Sequence, residues 1–308
     1  MERLSSVFLS TAVSIELFLE FFLLLVLSYT FAQVVGILKS YKKENMTDIE
    51  FYVEKKSYLV SLLVSVALVV KIVLVAFFAY ALDELSAVVP GAMCVTGVLN
   101  TNGYGEVLFP LKLSILIFSS LWLMLNKADL YSKNGLHFKK KMWYFLILYI
   151  LILLEFIVSL SFFSSIDTQI PVSCCSVNNV QEAVLPLGLS TEMLVGLFYS
   201  FYIALVLSAY MKKKLFLFVS SSAFVYLSFY ALVYYFGGYI YGAWSHHCAY
   251  CMLQKEYSYI GYFIYISLFL SVFYTLGFLI FDFMKAAYVK LILWFSIFVA
   301  ILSSTLYI

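Results

Sequence analysis

The chain has 308 residues, of which 64% are hydrophobic and only 12% charged, with a mean hydropathy of +1.01. Soluble domains do not carry that apolar content, so the composition predicts an all-α polytopic bundle forming a single integral membrane domain over residues 1–308. The net charge of +2 rests on lysines scattered beside apolar runs rather than gathered in one basic stripe, which argues against nucleic acid as a partner and for the lipid bilayer.

A helix needs roughly 20 mainly apolar residues to cross a hydrocarbon core. In chain order, the predicted span cores are Val13 to Leu38, Tyr58 to Ala81, Val107 to Leu125, Met142 to Phe163, Thr191 to Met211, Leu215 to Phe236, Ile260 to Phe281 and Val289 to Tyr307. Each run is continuously apolar instead of alternating, which favours helices over the strands of a barrel. The first run is too long for the apolar stretch of a cleaved signal peptide and reads as an uncleaved anchor.

Lysines set the direction of the weave, because short positively charged loops stay in the cytoplasm. Lys39, Lys42, Lys43, Lys55 and Lys56 follow the first span; Lys127, Lys133, Lys139, Lys140 and Lys141 follow the third; Lys212, Lys213 and Lys214 follow the fifth; Lys285 and Lys290 follow the seventh. Together they are fifteen of the 19 basic residues, whereas the alternate connections contain only Lys255. Both termini and the connections Leu82 to Glu106, Ser164 to Ser190 and Gly237 to Ser258 are therefore expected outside the cytoplasm. The expected location is the plasma membrane of a bacterium or archaeon.

These three connections contain all five cysteines, Cys94, Cys174, Cys175, Cys248 and Cys251. Pro90, Gly91, Gly97 and Asn102-Gly103 in the first, and Pro171, Asn178-Asn179 and Pro186 in the second, predict bent, folded caps rather than straight helices. The densest motif is His246-His247-Cys248-Ala249-Tyr250-Cys251-Met252, four potential metal ligands and a thioether in seven residues. Imidazole and thiolate suit zinc or copper, and thiolate with thioether suits reduced copper. The same C-x-x-C spacing also forms redox disulfides, tuned by a neighbouring charged imidazole. Vicinal Cys174 and Cys175 are expected to pair elsewhere or to bind metal, since bonding to each other would strain the chain. Structural disulfides are the plain alternative for exported thiols, although an odd number leaves one over. His137, among cytoplasmic lysines, reads as a solvated loop residue.

Glu16, Glu20, Lys71, Lys112 and Glu155 interrupt apolar spans. Charges at such depth are costly and face protein or water. Glu16 and Glu20 share one helical face, so the sequence predicts an interior charge network, either structural ion pairing or a proton or anion path. Lys112, near its span end, is expected to snorkel outward. Tyr226, Tyr230 and Tyr234 form a helical stripe suited to core packing or to the border of a flat apolar molecule such as a quinone.

Three functions suit these residues. The leading expectation is a thiol-disulfide oxidoreductase in which Cys248 and Cys251 exchange, His246 or His247 stabilises a thiolate, and Cys174, Cys175 or Cys94 resolves the mixed disulfide. An external thiol protein would be the partner and a quinone a candidate electron acceptor. In this logic the chain resembles the membrane disulfide-generating DsbB and vitamin K epoxide reductase groups, which combine helical bundles with external or interfacial cysteine pairs but use fewer core spans. The second is a transporter or delivery protein for a thiophilic metal, copper or zinc, held by His246, His247, Cys248 and Cys251 with Cys94, Cys174 and Cys175 and supplied by a metal donor. The third is a noncatalytic membrane subunit with structural disulfides.

Overall fold

The computed structural model describes residues 10–40, 47–131, 138–172, 188–244, 246–281 and 287–307. Its residues are 85% helical, no strand occurs among those described, and eight helices are long and apolar enough to cross a membrane. The chain is thus a multi-pass helical membrane protein. Cys174, Cys175 and His137 lie outside the described residues.

Two compact units divide the chain, residues 1–90 with 98–170 and residues 91–97 with 171–308. The first contains α1 (Thr11–Ser40), α2 (Thr47–Ser86), α4 (Gly103–Tyr131) and α5 (Phe138–Ser164). A short helix, α3 (Val95–Leu99), spans the sequence boundary near residue 97. Within this unit α1 packs on α2 and α5, and α4 packs on the same two, closing a ring of four helices. Leu27, Val64, Leu68, Trp122 and Phe145 fill its interior, whereas Phe18, Val73 and Ile147 face outward. An apolar exterior around buried carboxylates and ammoniums is the pattern that lipid, not water, selects.

In the second unit α6 (Thr191–Tyr210) and α7 (Lys214–Ala231) pack together, as do α9 (Ile260–Ile280) and α10 (Ala287–Ser304). Contacts of α7 with α9 and of α6 with α10 close a second four-helix ring around Phe198, Phe224, Phe295 and Phe298. Ser296 and Ser303 meet the hydroxyls of Tyr202 and Tyr199 at 2.8 and 2.9 Å, satisfying polar groups that lipid cannot.

Several spans outrun their predicted apolar cores. The second extends over Lys55–Ser86 and the third over Gly103–Leu130. Asn102, expected to turn the chain, lies at a bend and also caps α4: its Oδ1 accepts from the Tyr104 N–H at 3.1 Å while its Nδ2 donates to the Phe162 carbonyl at 3.1 Å. The sixth span was predicted to stop at Phe236, but α7 continues through a π turn (Leu232–Phe236) into α8 (Gly237–Tyr241). A π turn accommodates an extra residue without breaking the helix, and Gly242 at φ 61° then ends it.

Candidate functional site

Cys94 lies on a strap of residues 91–97 that belongs to the second unit, together with the loop carrying Cys248 and Cys251. The strap enters through Gly91, at φ 80°. A Cβ there would lie 2.3 Å from the Val172 carbonyl oxygen, so only glycine admits this close backbone approach. Gln254 then ties the strap to the loop, its Nε2 donating to the Met93 carbonyl at 2.8 Å.

The loop is shaped by two tyrosines. The Tyr241 hydroxyl donates to the Cys248 carbonyl and accepts from the Met252 N–H at 3.1 Å, bridging both ends of the C-x-x-C segment. Tyr265 donates its hydroxyl proton to the Ala249 carbonyl between them. Cys251 opens a 3-10 turn, Cys251–Leu253, closed by the Gln254 N–H to the Cys251 carbonyl at 3.0 Å. Beneath it, the start of α9 comes so close that a Cβ on Gly261 would sit 2.6 Å from Met252 Cγ and 2.9 Å from its carbonyl oxygen. Gly261→Ala is expected to cost about 1 to 3 kcal/mol by overpacking, measured as a lowered denaturation midpoint of the purified chain.

The result is one sulfur cluster. The ligand atoms of Cys94, Cys248 and Cys251 all lie within 4.8 Å of one another, and Cys94 Sγ is 3.7 Å from Cys248 Sγ. All three residues are buried among Tyr241, Tyr250 and Tyr257. A disulfide would hold its sulfurs about 2.05 Å apart, so the 3.7 Å pair is in contact and not bonded. Cys248 sulfur also receives the Tyr250 N–H at 3.4 Å and meets the Thr96 hydroxyl at 3.6 Å. The Cys251 thiol is pushed far above the ordinary thiol range, first by its hydrogen bonds with Cys248 and Cys94, then by burial. A desolvated Cys251 thiol hydrogen-bonded to two neighbouring sulfurs holds its proton until something else supplies positive charge.

The two adjacent histidines are not part of this group. His246 packs edge-on against Tyr241, ring centroids 4.5 Å apart, with its Nε2 buried and making no hydrogen bond. His247 turns toward the tyrosine stripe instead: its ring lies 4.9 Å from Tyr234 and its Nδ1 3.4 Å from the Val233 carbonyl. Tyr230 stacks on Tyr234 at 6.2 Å, while Tyr226 at the far end is 52% exposed. Met93 is exposed and Met252 buried.

The charged residues of the first unit converge separately. Lys71 Nζ bonds Glu20 Oε1 at 2.9 Å and Glu155 Oε2 at 2.6 Å. Lys112 Nζ bonds the same Glu20 oxygen at 2.5 Å and Glu155 Oε1 at 2.6 Å. Two ammoniums and two carboxylates therefore alternate around a closed, fully buried ring. Lys112 does not snorkel: the carboxylates, and the face of Phe78 at 4.2 Å, solvate its ammonium inside the unit better than a long reach to the interface would. Lys141, read from sequence as a loop lysine, is likewise buried against Asp129 at 2.5 Å.

Comparison with protein families, curated proteins and solved structures finds no match to this chain.

Proposed function

We propose that this chain is a membrane protein that captures a thiophilic cation, reduced copper or zinc, at Cys94, Cys248 and Cys251 on the extracytoplasmic side of a bacterial or archaeal plasma membrane, for transport or delivery. The observation that carries the reading is the spacing of the sulfurs. With metal–sulfur bonds of about 2.3 Å, a tetrahedral angle sets neighbouring sulfurs roughly 3.8 Å apart and a trigonal one roughly 4.0 Å apart. The Cys94 to Cys248 separation is 3.7 Å, and the third sulfur belongs to the same group. Soft thiolates select copper(I) and zinc over hard cations. The lysine bias of the loops supports the extracytoplasmic placement. Cys174 and Cys175, in another connection with the same expected sidedness, would serve as accessory ligands handing the ion inward from a donor.

Thiol-disulfide exchange remains as the second reading, because Cys94 and Cys248 need approach by only about 1.7 Å to bond. In that reaction two thiols would lose two protons and two electrons, and a quinone would become a quinol. Burial weighs against it, since a protein disulfide partner must reach the attacking sulfur. Thiol trapping followed by mass spectrometry of the purified protein separates the two. The metal reading expects Cys94, Cys248 and Cys251 reduced and shielded from alkylation until a chelator is added. A disulfide among them that cycles with added quinone would replace it with the redox reading.

Tyr241 gives a test of the scaffold. Tyr241→Phe removes both clamps on the C-x-x-C loop and is expected to weaken metal binding about 10- to 100-fold, as loss of outer-shell support does elsewhere, read by competition with a chromophoric chelator. Binding should also weaken as pH falls, because each thiol must release its proton to solvent as its sulfur bonds the metal.

A further inference from the structure

The alternating ring of Lys71, Glu20, Lys112 and Glu155 is electrically neutral by itself. Glu16 is the fifth member. Its carboxyl is 3.5 Å from the Lys112 ammonium, which is already engaged by two closer carboxylates, and neither of its oxygens makes a hydrogen bond. Glu20 Oε2 also has no hydrogen-bond partner, and Glu16 stands one helical turn away on the same face of α1. The packed elements supply the charges already named: Glu16 and Glu20 from α1, Lys71 from α2, Lys112 from α4 and Glu155 from α5. An ionised Glu16 would leave one uncompensated negative charge and three acceptor oxygens without donors, all buried. One proton removes the charge and supplies the missing donor.

We propose that this unit holds a single exchangeable proton on Glu16, shared with Oε2 of Glu20 and placed within the bilayer. Helix register sets its depth. Glu16 is 5 residues from Thr11, about 8 Å from that helix end, and the ring lies deeper, with Glu20 9 residues from Thr11, Lys112 9 from Gly103 and Glu155 9 from Ser164, about 13 Å from those ends. A cavity of about 580 Å³ at that end is lined by Thr11 and Ile15 of α1 and by Phe77, Tyr80 and Glu84 of α2. Ile15 directly precedes Glu16, and Phe77 directly precedes the Phe78 ring beneath the Lys112 ammonium. Glu84, whose Oε1 accepts from the Tyr80 hydroxyl at 3.0 Å, places a carboxyl at that cavity. Held protonated, the Glu16 and Glu20 pair leaves no bare charge in lipid. The site stands in the first unit and does not depend on the sulfur cluster.

The test is infrared spectroscopy of the full chain in proteoliposomes at neutral pH, in water and in heavy water, with melting followed in parallel. Wild type is expected to show a protonated-carboxyl stretch that shifts in heavy water, disappears in Glu16→Gln and persists in Glu192→Gln. Glutamine mimics the protonated acid, so Glu16→Gln should melt close to wild type while Glu155→Gln melts far lower. Absence of the band in wild type, or its persistence in Glu16→Gln, would overturn the proposal. So would a Glu16→Gln melting loss as large as that of Glu155→Gln, or a melting temperature set by sodium concentration, which would assign an ionised carboxylate holding a metal cation instead.

Discussion

Glu155→Ala is expected to destabilise the protein by about 3 to 5 kcal/mol, the scale for removing one partner from a buried ion pair. Glu155 is the only member of the ring whose two oxygens each bond a different lysine, Oε2 to Lys71 and Oε1 to Lys112. Its loss leaves two ammoniums sharing Glu20, with Glu16, 3.5 Å from Lys112, as the one further carboxyl of the network. The cost is an orphaned charge rather than a missing attraction, and this distinction is measurable. The double variant Lys71→Met with Glu155→Met removes one charge of each sign, and it is expected to recover most of the stability because well-packed apolar side chains replace buried pairs at little cost. Unfolding in mixed detergent micelles, followed by circular dichroism, checks both. A single variant as stable as wild type would mean that water, not Glu155, compensates the lysines.

Cys94→Ala is expected to lower metal affinity by about a hundredfold or more. Apparent binding free energies of structural zinc sites begin near 10 kcal/mol, so each of three or four ligands accounts for roughly 3 kcal/mol, and 1.4 kcal/mol is tenfold. Cys94 is the decisive position because it lies 154 residues from Cys248 and reaches the loop only through the strap at Gly91. Competition titration with a chromophoric chelator gives the affinity. Cys251→Ala should match it, whereas His246→Ala and His247→Ala should bind nearly as wild type, since neither imidazole joins the sulfurs. Equal losses for the histidine and cysteine variants would enlarge the site and displace the three-sulfur account.

Much of the bundle was legible in the sequence because lipid imposes a simple rule on span length and polarity. The span ends were not, since Asn102 as a cap and the π turn after Ala231 depend on local hydrogen bonding rather than hydropathy. The interval between Glu16 and Glu20 foretold a shared face, and the cost of buried charge foretold partners. Which helices neighbour one another decided that Lys71 and Glu155 meet, and pairing of that kind leaves no periodic mark. In the sulfur site, C-x-x-C spacing pointed to Cys248 and Cys251. The consecutive histidines drew more weight than their positions justify, because a ring can be adjacent in sequence and still turn toward Tyr234 or Tyr241. Tyr241 and Tyr265 were hidden among 26 tyrosines, and Gly261 among 13 glycines, with no local signal to mark them as the scaffold.

X-ray absorption spectroscopy of the purified full-length protein, loaded with copper(I) or zinc and freed of excess metal, tests the sulfur site most directly. The account expects one ion per chain with about three sulfur neighbours near 2.3 Å, falling to two in Cys94→Ala. A chain that retains no metal, or an ion surrounded by nitrogen and oxygen alone, would contradict it.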